Sequence, residues 1–133
     1  VREQPMPDKD ILVVDDDEDL RETFRVVLES EGYNVRLAAN GAEGWEKAQE
    51  SAPDLAMIDI MMETFGEGVR LTQRFRKDDK LKEVPVIVVS AVNQEIPYHL
   101  QEETDEGYLP AQKFMDKPVD PDDLLEAIEE LLG

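Results

Sequence analysis

The sequence predicts an α/β fold, a doubly wound (βα)5 domain whose five-stranded parallel sheet has the strand order 2-1-3-4-5. Three observations predict it. Five short apolar runs alternate with stretches of helical periodicity: Ile11–Val14, Tyr33–Ala38, Asp54–Asp59, Val84–Val89 and Phe114–Met115. Strands this apolar need helices over both faces, which implies a parallel sheet. The runs end abruptly on polar or charged residues, notably Asp15, Asp59, Ser90 and Asp116-Lys117. Right-handed crossovers leave few topologies, and the doubly wound order has its switch point between strands 1 and 3.

Each element has its own signals. Residues 1–8 hold two prolines and mixed charges and are expected to be a poorly ordered lead-in, with the folded domain over 9–133. After the first strand, Leu20, Phe24, Val27 and Leu28 recur at helical spacing. Asp17 or Asp19 suits that helix's N-terminus, and Gly32 its left-handed close. The second strand has Val35 and Leu37 on one face. Asn40-Gly41 reads as a turn, and Ala42, Trp45 and Ala48 mark a short helix that Pro53 stops. Asp54–Asp59 is the third strand, and 63–68 reads as a loop. Leu71, Thr72 and Phe75 form the inner face of the next helix, while Arg70, Arg74, Arg76 and Lys77 lie on its outer face and end.

Val84–Val89 is the fourth strand. The stretch from Val92 to Ala111 contains Pro97, Gly107 and Pro110, and fits at most a short or irregular helix. Phe114–Met115 is the fifth strand. Asp120 as cap, Pro121 at the first position, then Asp122 and Asp123, start the last helix. Leu124, Leu125, Ile128, Leu131 and Leu132 are its buried stripe. That helix runs to the end of the sequence, which leaves open a stand-alone domain or a piece of a longer chain.

Composition narrows the function. The 133 residues suffice for one domain with a real core. There is no cysteine, which excludes disulfides and thiolate metal sites. No apolar run is long enough to cross a bilayer, and a cytoplasmic location is expected. Net charge is −19, from 33 acidic and 14 basic residues, which argues against direct binding to nucleic acid or to an anionic membrane.

The chemistry is expected at the switch point. Asp15 and Asp16 follow strand 1, and Asp59 ends strand 3. Three clustered carboxylates repel one another, and a divalent cation is the obvious compensation. Few hard oxygen ligands, with room for water, suit Mg²⁺ better than Ca²⁺. Ser90 and Lys117 end strands 4 and 5 at the same edge. Carboxylates, a metal, a hydroxyl and an ammonium form a set arranged around an incoming phosphoryl group. A carboxylate can act as nucleophile and form an acyl phosphate. Asp59 stands alone, whereas Asp15 and Asp16 are paired and better placed to hold metal, so Asp59 is the better nucleophile.

At this point the chain resembles the response-regulator receiver domains of two-component signalling, over roughly 9–132. The likeness rests on Ile11-Leu12-Val13-Val14-Asp15-Asp16-Asp17, Asp59-Ile60-Met61-Met62, Val88-Val89-Ser90-Ala91 and Lys117-Pro118. The resemblance implies a flavodoxin-like fold and a site read position by position. Asp59 would be the phosphoacceptor for a histidine kinase or phosphotransfer protein. Asp16 would ligate Mg²⁺ (or Mn²⁺) directly, Asp15 mainly through water, and Asp59 and the Met61 backbone carbonyl would complete the protein's ligands. Ser90 and Lys117 would bind phosphoryl oxygens. Pro118 would follow a cis bond, and Phe114 would be, with Ser90, the switch. The output surface would include 92–117 and act on an output protein or effector domain, and the chain would turn over no separate substrate.

Two stretches depart from the family pattern. The loop after Asp59 carries Glu63 where a proline is usual, and is one residue longer before Gly68. The segment 92–111 is longer than usual, with Tyr98, Leu100, Tyr108 and Leu109 as candidate docking anchors against a plain surface loop. His99 has no partner in sequence and reads as a loop residue. Three alternatives compete. A Mg²⁺-dependent aspartyl-phosphate phosphohydrolase would want a second acid where Met61 stands. A flavodoxin-like cofactor module would want a Ser-, Thr- or Gly-rich loop where Asp15–Asp19 lies. A degenerate, partner-binding receiver would not keep all of Asp15, Asp16, Asp59, Ser90 and Lys117.

Overall fold

The computed structural model describes residues 9–60, 65–91 and 111–132. Within them the chain runs β1 (Asp10–Val14), α1 (Glu18–Ser30), β2 (Asn34–Ala38), α2 (Gly41–Glu50), β3 (Leu55–Asp59), α3 (Phe65–Lys77), β4 (Val86–Ala91), β5 (Lys113–Lys117) and α4 (Pro121–Leu132). The five strands form one sheet in the order β2-β1-β3-β4-β5, and every pairing is parallel. The expected order is therefore observed. Strands 1 and 3 lie side by side, with Val14 opposite Ile58.

Period-two alternation splits the core into two layers. Leu12, Val14, Ala56, Ile58, Val86 and Val88 pack with Ala48 of α2 and Val69, Leu71 and Phe75 of α3. Ile11, Val13, Leu55, Met57, Ile87 and Val89 pack with Phe24 and Leu28 of α1 and Leu124, Leu125 and Ile128 of α4. Because both faces are covered, the central strands are almost without exposed surface.

Helix ends follow local chemistry. Asp17 caps α1 by accepting from Leu20 N at 3.2 Å, and Gly32 follows the helix at φ 93°. The Asp120 carboxylate accepts from Asp122 N at 2.8 Å and Asp123 N at 3.3 Å, opening α4. Asn40 is the cap of α2 rather than part of a free turn, and its side chain accepts from Glu43 N at 2.8 Å.

The expected short helix is α2, and its buried face is Gly41, Gly44 and Ala48; Ala42 is exposed and Trp45 is partly buried against the core. The helix lies too close to β1 for side chains at Gly44: a Cβ there would sit 2.9 Å from Val14 Cγ2. One expectation needs correction: residues 65–68 are the first turn of α3, not loop. Glu63, the lead-in 1–8 and the segment 92–110, with Tyr98, His99, Leu100, Tyr108 and Leu109, lie outside the described residues.

Candidate functional site

Asp15 leaves β1 as a continuation of its ladder, donating its N–H to Ala38 O at 3.1 Å. Its side chain is 2 % exposed. One carboxylate oxygen accepts from Asp17 N at 2.9 Å, folding the acidic turn back on itself. Asp16 then projects into solvent. Asp59 is the last residue of β3, 3 % exposed, and Ile60 N bonds Val89 O at 2.9 Å just beyond it. Asp15, Asp16 and Asp59, 43 or more positions apart across the two strands, bring carboxylate oxygens within 4.8 Å of one another. The topology thus assembles the acids at the predicted switch point.

Lys117 ends β5 and reaches into this cluster. Its ammonium lies 3.2 Å from Asp15 Oδ2 and 3.2 Å from Asp59 Oδ2. Burial alone would pull its pKa down, but the Asp15 and Asp59 carboxylates outweigh that and hold it above the ordinary lysine value. One ammonium faces three carboxylates, so the cluster keeps an excess of negative charge. Hard oxygens gathered at one point with that excess fit a divalent cation of the Mg²⁺ type.

Ser90 lies in β4 opposite Asp116, and Val88 lies opposite Phe114. Residues in register share a face, so Ser90 and Phe114 lie on the same side of the sheet, one diagonal step apart. Phe114 is 42 % exposed, unusual for so large an apolar ring. The Lys117-Pro118 bond is cis, as expected. Met61 falls outside the described residues.

Three residues escaped the sequence reasoning. The Arg21 guanidinium donates to the Asp15 backbone carbonyl at 2.8 Å and so clamps the turn that presents Asp15 and Asp16. A cation this near a helix N-terminus opposes the helix dipole, and that misplacement was the available signal. Gly68 packs directly on the end of β3: a Cβ there would lie 2.4 Å from Asp59 O and 2.7 Å from Ile60 Cα. Its neighbour Glu67 accepts from Gly41 N at 2.6 Å, joining the first turns of α3 and α2.

The comparisons agree with this geometry. The family model of the response regulator receiver domain matches residues 11–129. The chain is 30% identical to the polar-differentiation response regulator DivK of Brucella anthropi, over 94% of this chain and 97% of DivK. It is 32% identical to protein PilH of Pseudomonas aeruginosa, over 92% and 97%. It is also 30% identical to the transcriptional regulator RpaA of Synechocystis, of which it spans only 48%. The chain thus covers about half the length of some relatives and nearly all of others. Among solved structures, a putative response regulator from Chloroflexus aurantiacus superposes with a TM-score of 0.81 at 28% identity, covering 96% of this chain and 98% of that one. The chemotaxis protein CheY4 of Vibrio cholerae gives 0.79 at 27% identity, over 93% and 98%.

Proposed function

The chain belongs to the response regulator receiver domains, and from that membership we propose that it is a phosphoacceptor switch whose acceptor is Asp59. The supporting observation is the meeting of Asp15, Asp16 and Asp59 around the Lys117 ammonium. The donor is a phosphohistidine on a histidine kinase or phosphotransfer protein. An Asp59 carboxylate oxygen forms the new bond to phosphorus, the P–N bond breaks, and the imidazole leaves with its electron pair and takes up a proton. The product is an acyl phosphate whose hydrolysis returns Asp59.

Asp15, Asp16, Asp59 and the Met61 carbonyl would hold Mg²⁺ (or Mn²⁺), which when bound would supply the positive charge that lets an anionic nucleophile meet an anionic phosphoryl group. Lys117 already touches Asp59 and follows a phosphoryl oxygen as charge moves outward. Arg21 keeps the acidic turn in place. Ser90 donates its hydroxyl to another phosphoryl oxygen.

That last bond links input to output. Ser90 and Phe114 share one face of β4 and β5, so drawing Ser90 toward the phosphoryl group opens space for the exposed Phe114 ring. Bonds made only in that arrangement set the population shift, and about 5.5 kcal/mol would carry it from 1:99 to 99:1. The responding surface includes 92–117 and serves an output protein or effector domain. The domain spans 9–133, with 1–8 as a lead-in, works in the cytoplasm, and catalyses only its own phosphorylation and dephosphorylation. No helix among the described residues is long and apolar enough to cross a membrane.

The test is direct. Incubation with Mg²⁺ and a small phosphodonor is expected to give an acid-stable, base-labile mass gain, which Asp59→Asn removes. Equal labelling of that variant would overturn the assignment.

A further inference from the structure

The first turn of α2 and the first three turns of α3 line a cleft of about 250 Å³, formed by Gly41, Ala42, Glu67, Arg70, Leu71 and Arg74. Its charge is anomalous for this molecule. The chain carries 33 acidic and only 14 basic residues, and the other guanidiniums among the described residues are engaged: Arg25 with Glu22 and Glu29, Arg36 with Asp10, Arg21 with the Asp15 carbonyl and Arg76 with Gln112. Arg70 and Arg74 are exposed, and among the described residues neither has a carboxylate within ion-pair distance. Glu67, the acid on the cleft wall, is tied to the Gly41 N–H and leaves the two arginines in excess. Arg74 lies 3.9 Å over the Trp45 ring, which is itself braced against Phe75 at 6.4 Å between centroids. Stacking fixes the plane of a guanidinium while leaving its N–H edge open to a carboxylate.

We propose that this α2–α3 cleft is a docking site for an acidic segment of a partner protein, with Arg70 and Arg74 each taking one carboxylate. The two arginines are four apart on one helix, so their Cβ atoms are about 5–6 Å apart. Two acids one helical turn apart, or alternate acids on an extended strand, match that spacing. Charge complementarity selects the partner. Net charge of −19 disfavours a second copy of this chain through long-range repulsion, and the same repulsion limits the acidic segment to a short one. The cleft is separate from the acid cluster, so docking does not require an intact Asp59.

Fluorescence anisotropy of a labelled deca-glutamate peptide, titrated with the full chain at low salt, tests this. Saturable binding is expected, weakening as salt rises. Arg70→Glu/Arg74→Glu is expected to weaken it about tenfold or more. Lys77→Glu/Lys82→Glu changes net charge equally, lies off the cleft, and is expected to bind much more tightly than the arginine variant. Circular dichroism checks each fold, and Arg70→Gln/Arg74→Gln carries the test if the double reversal fails to fold. Asp59→Asn is expected to bind like the wild type. Absence of saturable binding, equal loss in both double reversals, or equally tight binding of a single-stranded oligonucleotide of the same charge would overturn the proposal.

Discussion

The two ends of the sheet treat charge in opposite ways. At the amino end, Arg36 forks onto Asp10, with Nη2 2.6 Å from Oδ2 and Nε 3.2 Å from Oδ1. The same guanidinium bonds Lys47 O and Ser51 O, each at 2.7 Å, closing the C-terminus of α2. Asp54 accepts from Asp10 N at 2.7 Å and ties the entry of β3 to β1. There, the cation is met by an anion and by backbone carbonyls. At the carboxyl end, Asp15 and Asp59 share the Lys117 ammonium, and Asp16 adds a third carboxylate beside them. The first arrangement is complete without any addition and serves stability. The second is left with excess negative charge and is completed only by what it binds. Departures from local charge balance of this kind mark functional positions.

The sharpest way to break that contrast is Lys117→Met. It strands two buried carboxylates, and about 3 kcal/mol of stability is expected to be lost in metal-free buffer, part of it recovered with Mg²⁺. Urea denaturation with and without the ion measures both. Gly68→Ala forces a methyl onto the Asp59 carbonyl. A loss of about 2 kcal/mol is expected, together with slower labelling of Asp59, because the acceptor's own backbone must shift. Arg36→Ala should cost about 1–2 kcal/mol, since the pair is partly exposed. Unlike the first loss, this one should not respond to Mg²⁺; if it did, the two ends would not be independent.

Asp59→Asn is expected to act in the other direction. It reduces carboxylate repulsion while leaving Asp15 for Lys117, so metal-free stability should rise by about 1 kcal/mol and the gain from Mg²⁺ should shrink. The smallest effect is alkaline. Lys117 is held above the ordinary lysine pKa in the fold. Its contribution is therefore intact up to the ordinary lysine range and is lost as pH rises through the folded value. Wild type should lose stability there more steeply than Lys117→Met.

The same contrast explains what was legible in the sequence. Buried strands announce themselves as apolar runs, and a charge closing such a run is conspicuous, so Asp15, Asp59 and Lys117 could be placed before any geometry was known. Strand order followed from topology rules rather than from residues. What stayed hidden was carried by glycine and by long-range backbone contacts. Gly41 and Gly44 are on the buried face of α2 but carry no apolar side chain, so hydrophobic periodicity could not mark them. Gly66 and Gly68 looked like loop residues, yet Gly68 is helical because α3 must approach Asp59 O. Arg21 acts on a carbonyl, and its misplacement near a helix N-terminus was the one trace of that in the sequence.

β5 is an edge strand of the sheet among the described residues, and its sequence guards that edge. Three of its five residues, Lys113, Asp116 and Lys117, are charged, and Pro118 follows without an N–H to offer. Charges and proline on an edge discourage another strand from adding to it. The molecule can therefore display the exposed Phe114 ring on this strand without inviting aggregation through the backbone. Any protein that reads this strand must do so through side chains, by the position of one ring, rather than by extending the sheet.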